Sequence, residues 1–219
     1  MTPGSDPLDL FSPPTRSWFA TRIGRPTEVQ QLAWPVIASG EHVLVTAPTG
    51  SGKTLAAFLW ALDRLLAEAW PGGQVRVLYV SPLRALGNDI RRNLLEPLAG
   101  LAERWSAAGL APPAVRVLSR TGDTPQAERR AIAKSPPEIL ITTPESLNIL
   151  LSSAGGRTLL RGLRSVILDE VHAVIDGKRG VHLMTAVERL TALSGELQRI
   201  ALSATVNPLD VVARWVGGA

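Results

Sequence analysis

Cysteine is absent from this chain of 219 residues. Disulfides and thiolate metal sites are therefore excluded, and the composition fits a reducing, cytoplasmic setting. The three histidines, His42, His172 and His182, are not spaced as paired ligands on one helical turn, which speaks against zinc. Internal repeats and low-complexity tracts are also lacking. Residues 1–14 are rich in Pro, Gly and Ser and carry Asp6 and Asp9. They have neither the basic start nor the apolar run of a secretory signal, and they read as a flexible lead-in. The longest apolar helical stretch is interrupted by charge well short of a bilayer span, so no membrane partner is expected. What remains is a globular chain whose 45% hydrophobic content can bury a full core.

Strand candidates recur along the whole length: Val43–Ala47, Val75–Val80, Val115–Ser119, Ile139–Thr142, Ser165–Leu168 and Ile200–Leu202. Helical stretches separate them, among them Leu55–Trp70, with Asp63 and Arg64 on its polar face, and Ala85–Arg104, interrupted at Pro97. Strands alternating with helices predict an α/β fold, a mainly parallel sheet with helices on both faces. A soft prior of about 150 residues per domain permits one large domain or two small ones. The even spread of strands favours one.

The run Ala47-Pro48-Thr49-Gly50-Ser51-Gly52-Lys53-Thr54 lies between the apolar Val43-Leu44-Val45 and the helical pattern beginning at Leu55. A strand, a glycine-rich loop and a helix N-terminus in that order make a phosphate cradle. Glycines let the loop curl so that backbone N–H groups converge on phosphate oxygens, and the helix dipole adds partial positive charge. Thr49, Gly50, Ser51 and Gly52 form the cradle, Lys53 reaches the β- and γ-phosphates of a nucleotide, and the Thr54 hydroxyl holds Mg²⁺. Ala47 stands where the strict pattern has Gly.

A second motif narrows the chemistry. Asp169-Glu170 follows the apolar run Val166-Ile167-Leu168, at the C-terminal end of a strand, where sheets of this type present their chemistry. Asp169 is placed to coordinate Mg²⁺, and Glu170 to polarise a water for in-line attack on the γ-phosphate. Taken alone, such a pair also begins loops or caps helices. Gly50-Ser51-Gly52-Lys53-Thr54-Leu55 lacks the third glycine of a dinucleotide fingerprint, and Leu193-Ser194-Gly195-Glu196 reads as a helix end with a glycine cap.

The formal net charge is +4, from 23 Lys and Arg against 19 Asp and Glu. Residues 84–134 hold nine basic and five acidic side chains and so carry the whole excess. A polyanionic partner is expected on that stretch, although Arg91, Arg92, Arg129 and Arg130 are equally suited to solvating helix faces.

With these residues in view, the chain resembles the first RecA-like domain of superfamily 2 helicases of the DEAD/DEAH-box type, and most of all the large helicase-related (Lhr) family. Pro26-Thr27-Glu28-Val29-Gln30 resembles the Q motif, Ala47 to Thr54 motif I and Pro82-Leu83-Arg84-Ala85-Leu86 motif Ia. Thr121-Gly122-Asp123 resembles the short motif that follows, Thr143-Pro144-Glu145-Ser146-Leu147 motif Ib, Asp169-Glu170-Val171-His172 motif II and Ser203-Ala204-Thr205 motif III. The resemblance covers residues 19–205.

It implies a RecA-like P-loop fold over residues 15–216, with 217–219 as the start of a linker and a second RecA-like domain as partner. It implies ATP and Mg²⁺ as cofactors, Gln30 reading the adenine edge, and Arg25 or Phe19 stacking on the ring. By its own chemistry Gln30 offers a donor and an acceptor to adenine; a solvated helix residue is the alternative reading of that position, and Phe19 is equally a core aromatic beside Trp18 and Ile23. Single-stranded or partly duplex nucleic acid is then gripped by Arg84, Thr121, Gly122, Asp123, Thr143, Pro144, Glu145 and Ser146. Ser203 and Thr205 couple hydrolysis to domain closure, their strand lying between those of motifs I and II. Movement from 3′ to 5′ and a role in nucleic-acid repair or processing are implied too.

The sequence stops shortly after motif III, so this piece alone is expected to hydrolyse ATP weakly and to unwind nothing, as an excised domain or a truncated product. A weakly catalytic nucleotide-dependent binding module and a protein-remodelling P-loop ATPase are the alternative readings.

Overall fold

Each strand distributes its side chains alternately to two faces, and both faces are apolar, the pattern of a parallel sheet covered on either side. In the computed structural model, which describes residues 6–81, 90–195, 197–205 and 208–217, six strands form one sheet. They are β1 (Val43–Thr46), β2 (Val77–Val80), β3 (Val117–Arg120), β4 (Ile139–Thr142), β5 (Ser165–Leu168) and β6 (Gln198–Ser203). The order is β1-β6-β5-β2-β4-β3, and every pairing is parallel. The strand before motif III thus lies between those before motifs I and II.

Val77 and Tyr79 of β2, Ile167 of β5 and Ile200 of β6 face one core. It is closed by α1 (Pro13–Arg22), α2 (Glu28–Ser39), α3 (Lys53–Leu66) and α4 (Glu96–Ala107). Leu78, Val80, Val166, Leu168 and Ala201 face the other core. There lie α5 (Gln126–Lys134), α6 (Pro144–Ser152), α7 (Ala154–Leu160), α8 (Lys178–Ser194) and α9 (Leu209–Gly217). Phe19 is fully buried, edge-on to Trp34 with ring centres 5.4 Å apart, whereas Ile23 is 46% exposed.

Four expectations are corrected. The lead-in is ordered from Asp6: Pro7–Leu10 form a 3₁₀ turn, and Leu8 and Phe11 are buried against the core. Asp63 is not on a polar face but fully buried, accepting hydrogen bonds from Ser12 N at 3.1 Å and Ser12 Oγ at 3.3 Å and pairing with Arg64 at 2.5 Å. The α3 helix ends at Leu66 instead of Trp70, because Glu68 turns left-handed at φ +55 and Pro71-Gly72-Gly73 follow. Pro97 does not interrupt its helix: a π-helical turn, Arg91–Leu95, precedes it, and Pro97 falls in the first turn of α4, where no backbone N–H is required. The α8 helix ends as expected, with Gly195 at φ +78.

Candidate functional site

A parallel sheet sends all of its strand C-termini to one edge, so six loops far apart in sequence meet there. The β1 loop is the glycine-rich run, β6 gives Ser203-Ala204-Thr205, and β5 gives Asp169-Glu170. On the other half of the edge, β4 leads into Thr143-Pro144 and β3 into Thr121-Gly122-Asp123; Pro82 to Leu86, next in sequence after β2 and Ser81, lie outside the described residues. Three adjacent strands carry the motifs expected to hold nucleotide, and the other three those expected to grip a nucleic-acid backbone.

The glycine-rich loop is tied down at both sides. Ala47 N–H donates to Ser203 O at 3.3 Å, extending the β1–β6 ladder by one residue. The Lys53 ammonium donates to the carbonyls of Ala47 and Pro48, the latter at 3.0 Å, and the side chain is buried. Gly50 and Gly52 have φ of +83 and +89, a region that favours glycine. A Cβ on Gly52 would lie 2.7 Å from Gln30 Nε2, so a side chain there would push the Gln30 amide aside on an already strained backbone.

Gln30 is buried instead of solvated. Its Oε1 accepts from Thr27 N at 3.0 Å, while Thr27 Oγ1 accepts from Gln30 N at 3.3 Å, a reciprocal cap on α2. Its Nε2 donates to Gly52 O at 3.4 Å, and Thr27 Oγ1 donates to Ser51 O at 2.9 Å. The Q motif is therefore fastened to the loop. Arg25 is exposed five residues before Gln30, whereas Phe19 is locked in the core and cannot stack on a nucleotide.

Asp169 closes the arrangement. Its N–H donates to Val80 O at 2.9 Å, its Oδ1 accepts from Glu170 N at 2.9 Å, and its Oδ2 accepts the hydroxyl proton of Tyr79. Burial pushes the carboxyl above its ordinary range against the Tyr79 hydrogen bond. The Glu170 charge adds to the rise, while the Glu170 N–H and the nearby Lys53 ammonium oppose it. The Lys53 ammonium, 116 positions away in sequence, thus lies near enough for its charge to act on the Asp169 carboxyl. Glu170 itself has φ +52, which costs a non-glycine residue about 1 kcal/mol or more.

His172 joins motif II to motif III. Its Nδ1 accepts from Ala204 N at 3.2 Å, with Ser203 Oγ at 3.4 Å, which leaves the ring proton on Nε2, 3.2 Å from Glu170 Oε2. Ser203 is buried and Thr205 is exposed.

On the other half of the edge, Arg129 locks the β3 loop by donating to the carbonyls of Thr124 at 2.7 Å and Gly122 at 2.7 Å. Thr121 is half-buried; Gly122 and Asp123 are exposed. Thr143 Oγ1 caps α6 by accepting from Ser146 N at 3.3 Å. Pro144 and Ser146 are buried, so their side chains are withdrawn from any ligand and instead shape the turn. Glu145 is exposed and pairs with Arg179 at 2.7 Å. Burial works to raise its carboxyl, but its own backbone N–H, the Arg179 hydrogen bond and charge, and the Thr143 hydroxyl together hold it below the ordinary range. Arg84 lies outside the described residues.

The family profile for DEAD/DEAH box helicases matches residues 27–212. This chain belongs to the DEAD/DEAH box helicase family. It is 52% identical, over 99% of its length, to the Lhr helicase/probable uracil glycosylase of Mycolicibacterium smegmatis, of which it covers 14%. It is 46% identical, over 95% of its length, to the ATP-dependent helicase Lhr-Core of Methanothermobacter thermautotrophicus, of which it covers 24%. The chain therefore spans a quarter or less of the curated relatives' length. The solved Mycobacterium smegmatis helicase Lhr, bound to ssDNA and AMP-PNP, matches with a TM-score of 0.91 and 52% identity, over 98% of this chain and 27% of that one. The DEAD-box helicase Mss116, bound to ssRNA, shares the fold at a TM-score of 0.75 and 21% identity, over 95% of this chain and 42% of that one.

Two residues of this DEAD/DEAH box domain escaped the sequence reading. Tyr79, the sole tyrosine in the chain, lies inside the strand candidate Val75–Val80 and carries no local signal of its own. Arg120, half-buried at the end of β3, accepts from Thr142 Oγ1 at its carbonyl at 2.7 Å, while its guanidinium makes no hydrogen bond or ion pair among the described residues. Burial and the neighbouring Arg129 charge lower its pKa. Its position just before Thr121-Gly122-Asp123 was the available signal. A cavity of 440 Å³ lined by Gln74, Pro136, Thr158 and Arg161 lies at the opposite, N-terminal ends of the strands, away from every motif.

Proposed function

We propose that this chain is the ATP-binding and ATP-hydrolysing motor domain of a nucleic-acid helicase or translocase, acting in the cytoplasm with a second RecA-like domain. The observation that carries the reading is the convergence of Lys53 and Asp169 on one edge of the sheet. The Ser51 hydroxyl, buried in the glycine-rich loop without a hydrogen-bond partner, supports the fit to a phosphate ligand. Hard oxygen donors from Thr54 and Asp169 suit Mg²⁺. When bound, Mg²⁺ supplies charge neutralisation for the β- and γ-phosphates.

The remaining work falls to the protein's own groups. Lys53, held by two neutral carbonyls, offers its charge to the triphosphate. Gln30 and Arg25 serve the adenine. Glu170 orients and deprotonates the attacking water, with the His172 Nε2–H holding its carboxylate and relaying motif III through Ser203 and Ala204. Thr205, exposed beyond them, faces the partner domain.

Single-stranded or partly duplex nucleic acid lies over the β2-β4-β3 half. It is held by Thr121, Gly122, Asp123, Thr143 and Arg84, with Arg120 and the Glu145-bound Arg179 adding positive charge. These contacts grip a sugar-phosphate backbone and read no sequence.

The test is ATP turnover with and without single-stranded DNA or RNA, in this chain and in Glu170→Gln. The expected result is nucleotide binding in both and nucleic-acid-responsive turnover only in the former. Turnover insensitive to the substitution would overturn the reading.

A further inference from the structure

Tyr79 stands on the border between the two halves of the functional edge. It belongs to β2, the first strand of the nucleic-acid half, and it is paired in register with Ile167 of β5, the last strand of the nucleotide half. Side chains two residues apart on a strand share a face, so Tyr79, Ile167 and Asp169 point to the same side of the sheet. The Tyr79 ring packs at 5.1 Å from that of Phe58, on the helix that begins with Lys53 and Thr54, and it is 2% exposed. Its hydroxyl donates to Asp169 Oδ2, while Glu170 N–H occupies Oδ1. Both carboxylate oxygens are thus anchored, one by the backbone of motif II and one by a side chain from the neighbouring strand.

We propose that Tyr79 is a positioning residue that fixes the Asp169 carboxylate for its part in holding Mg²⁺ with the nucleotide. The inference rests on the proposed function. A carboxylate bound by one backbone N–H can still rotate about its Cβ–Cγ bond, and a second hydrogen bond to the other oxygen removes that freedom. Hydrogen-bond partners of metal-holding groups typically change metal affinity or activity by about 10- to 100-fold when removed.

The experiment measures binding of a fluorescent ATP analogue to the chain as Mg²⁺ is titrated, with EDTA as the metal-free reference. It compares the unaltered chain, Tyr79→Phe and Phe58→Leu. Tyr79→Phe deletes only the hydroxyl. It is expected to raise the Mg²⁺ concentration at half-saturation by about 10-fold or more, leaving metal-free binding unchanged. Phe58→Leu loosens the same packing and is expected to leave the Mg²⁺ requirement near that of the unaltered chain.

An unchanged requirement in Tyr79→Phe, or an equal shift in Phe58→Leu, overturns the proposal and leaves the ATP-site reading standing. Absence of any Mg²⁺-dependent binding in the unaltered chain overturns both. Because the chain has one tyrosine, incorporation of 3-fluorotyrosine gives a single fluorine resonance that needs no substitution. That resonance is expected to move on addition of Mg²⁺ with a non-hydrolysable ATP analogue and to stay fixed when EDTA replaces Mg²⁺. A resonance indifferent to the metal overturns the proposal.

Discussion

Glu170 and His172 are in contact, with Oε2 of the carboxylate 3.2 Å from Nε2 of the ring. The far nitrogen of the same ring accepts from Ala204 N, so a displacement of motif III is felt at the carboxylate. Removing the ring in His172→Ala deletes a hydrogen bond to a charged group, worth about 1.5–3 kcal/mol. Turnover is expected to fall roughly 10- to 100-fold while ATP binding is preserved. Steady-state hydrolysis and equilibrium nucleotide binding, measured on the same preparation, separate the two.

Gly52→Ala should damage nucleotide binding through geometry alone. The new methyl would lie 2.7 Å from Gln30 Nε2, on a backbone at φ +89. A strain of about 1–2 kcal/mol from the left-handed backbone is expected, with the steric term in addition. Combining it with Gln30→Ala should relieve the steric part and leave the backbone part. A double-mutant cycle on thermal stability tests this, and purely additive effects would refute the contact.

Asp63 fastens the N-terminal segment to α3 through Ser12 N and Ser12 Oγ, with the neighbouring Arg64 on the same helix pairing its charge. Asp63→Ala should cost about 2–3 kcal/mol, a fall in Tm of roughly 4–12 °C for a chain of this size. Limited proteolysis should then cut early within residues 6–22. A Tm that does not move would show the latch to be unimportant.

Glu145 gives a pH signature. Its carboxyl is held below the ordinary value of 4.5 in the folded protein, so the ionised form is the one that stabilises. That stability is present above the ordinary value and lost as pH falls through the lowered one. Glu145→Gln should therefore melt below the unaltered chain at pH 7, and the two curves should converge in acid. A gap that persists or widens in acid would exclude the Arg179 pairing as its source.

Arg120 is expected to touch phosphate without reading bases. Arg120→Ala should weaken single-stranded DNA binding across all sequences and reduce the slope of log affinity against log salt by about 1. Fluorescence anisotropy over a salt series makes the measurement. An unchanged slope places the guanidinium away from the strand.

The elements legible in advance were those whose signal is local. Ile139–Thr142 and Ser165–Leu168 are apolar runs between turn residues, and both strands have the expected bounds. The glycine-rich loop between β1 and α3 was equally legible, since its glycines and lysine are contiguous. Asp63 was misjudged because its cover comes from Ser12, 51 positions away, and nothing near Asp63 in sequence announces it. Tyr79 was missed for the same reason, its partner lying 90 positions on. Pro97 misled because a π-helical turn, invisible to a 3.6-residue pattern, absorbs the disruption expected of proline. Leu8 and Phe11 were overlooked among the Pro, Gly and Ser of the lead-in, yet two apolar side chains suffice to anchor a short segment to a waiting core.

A sheet with all strands running one way has a working rim and an idle rim. The turns entering β1 and β3, at Glu41 and Ala111, are exposed and lie on the idle side. Since the chain has no native thiol, a cysteine introduced at either position would be the sole attachment point for a dye or a surface tether. The domain could then be watched or immobilised from behind, with the edge proposed to hold nucleotide and nucleic acid left undisturbed.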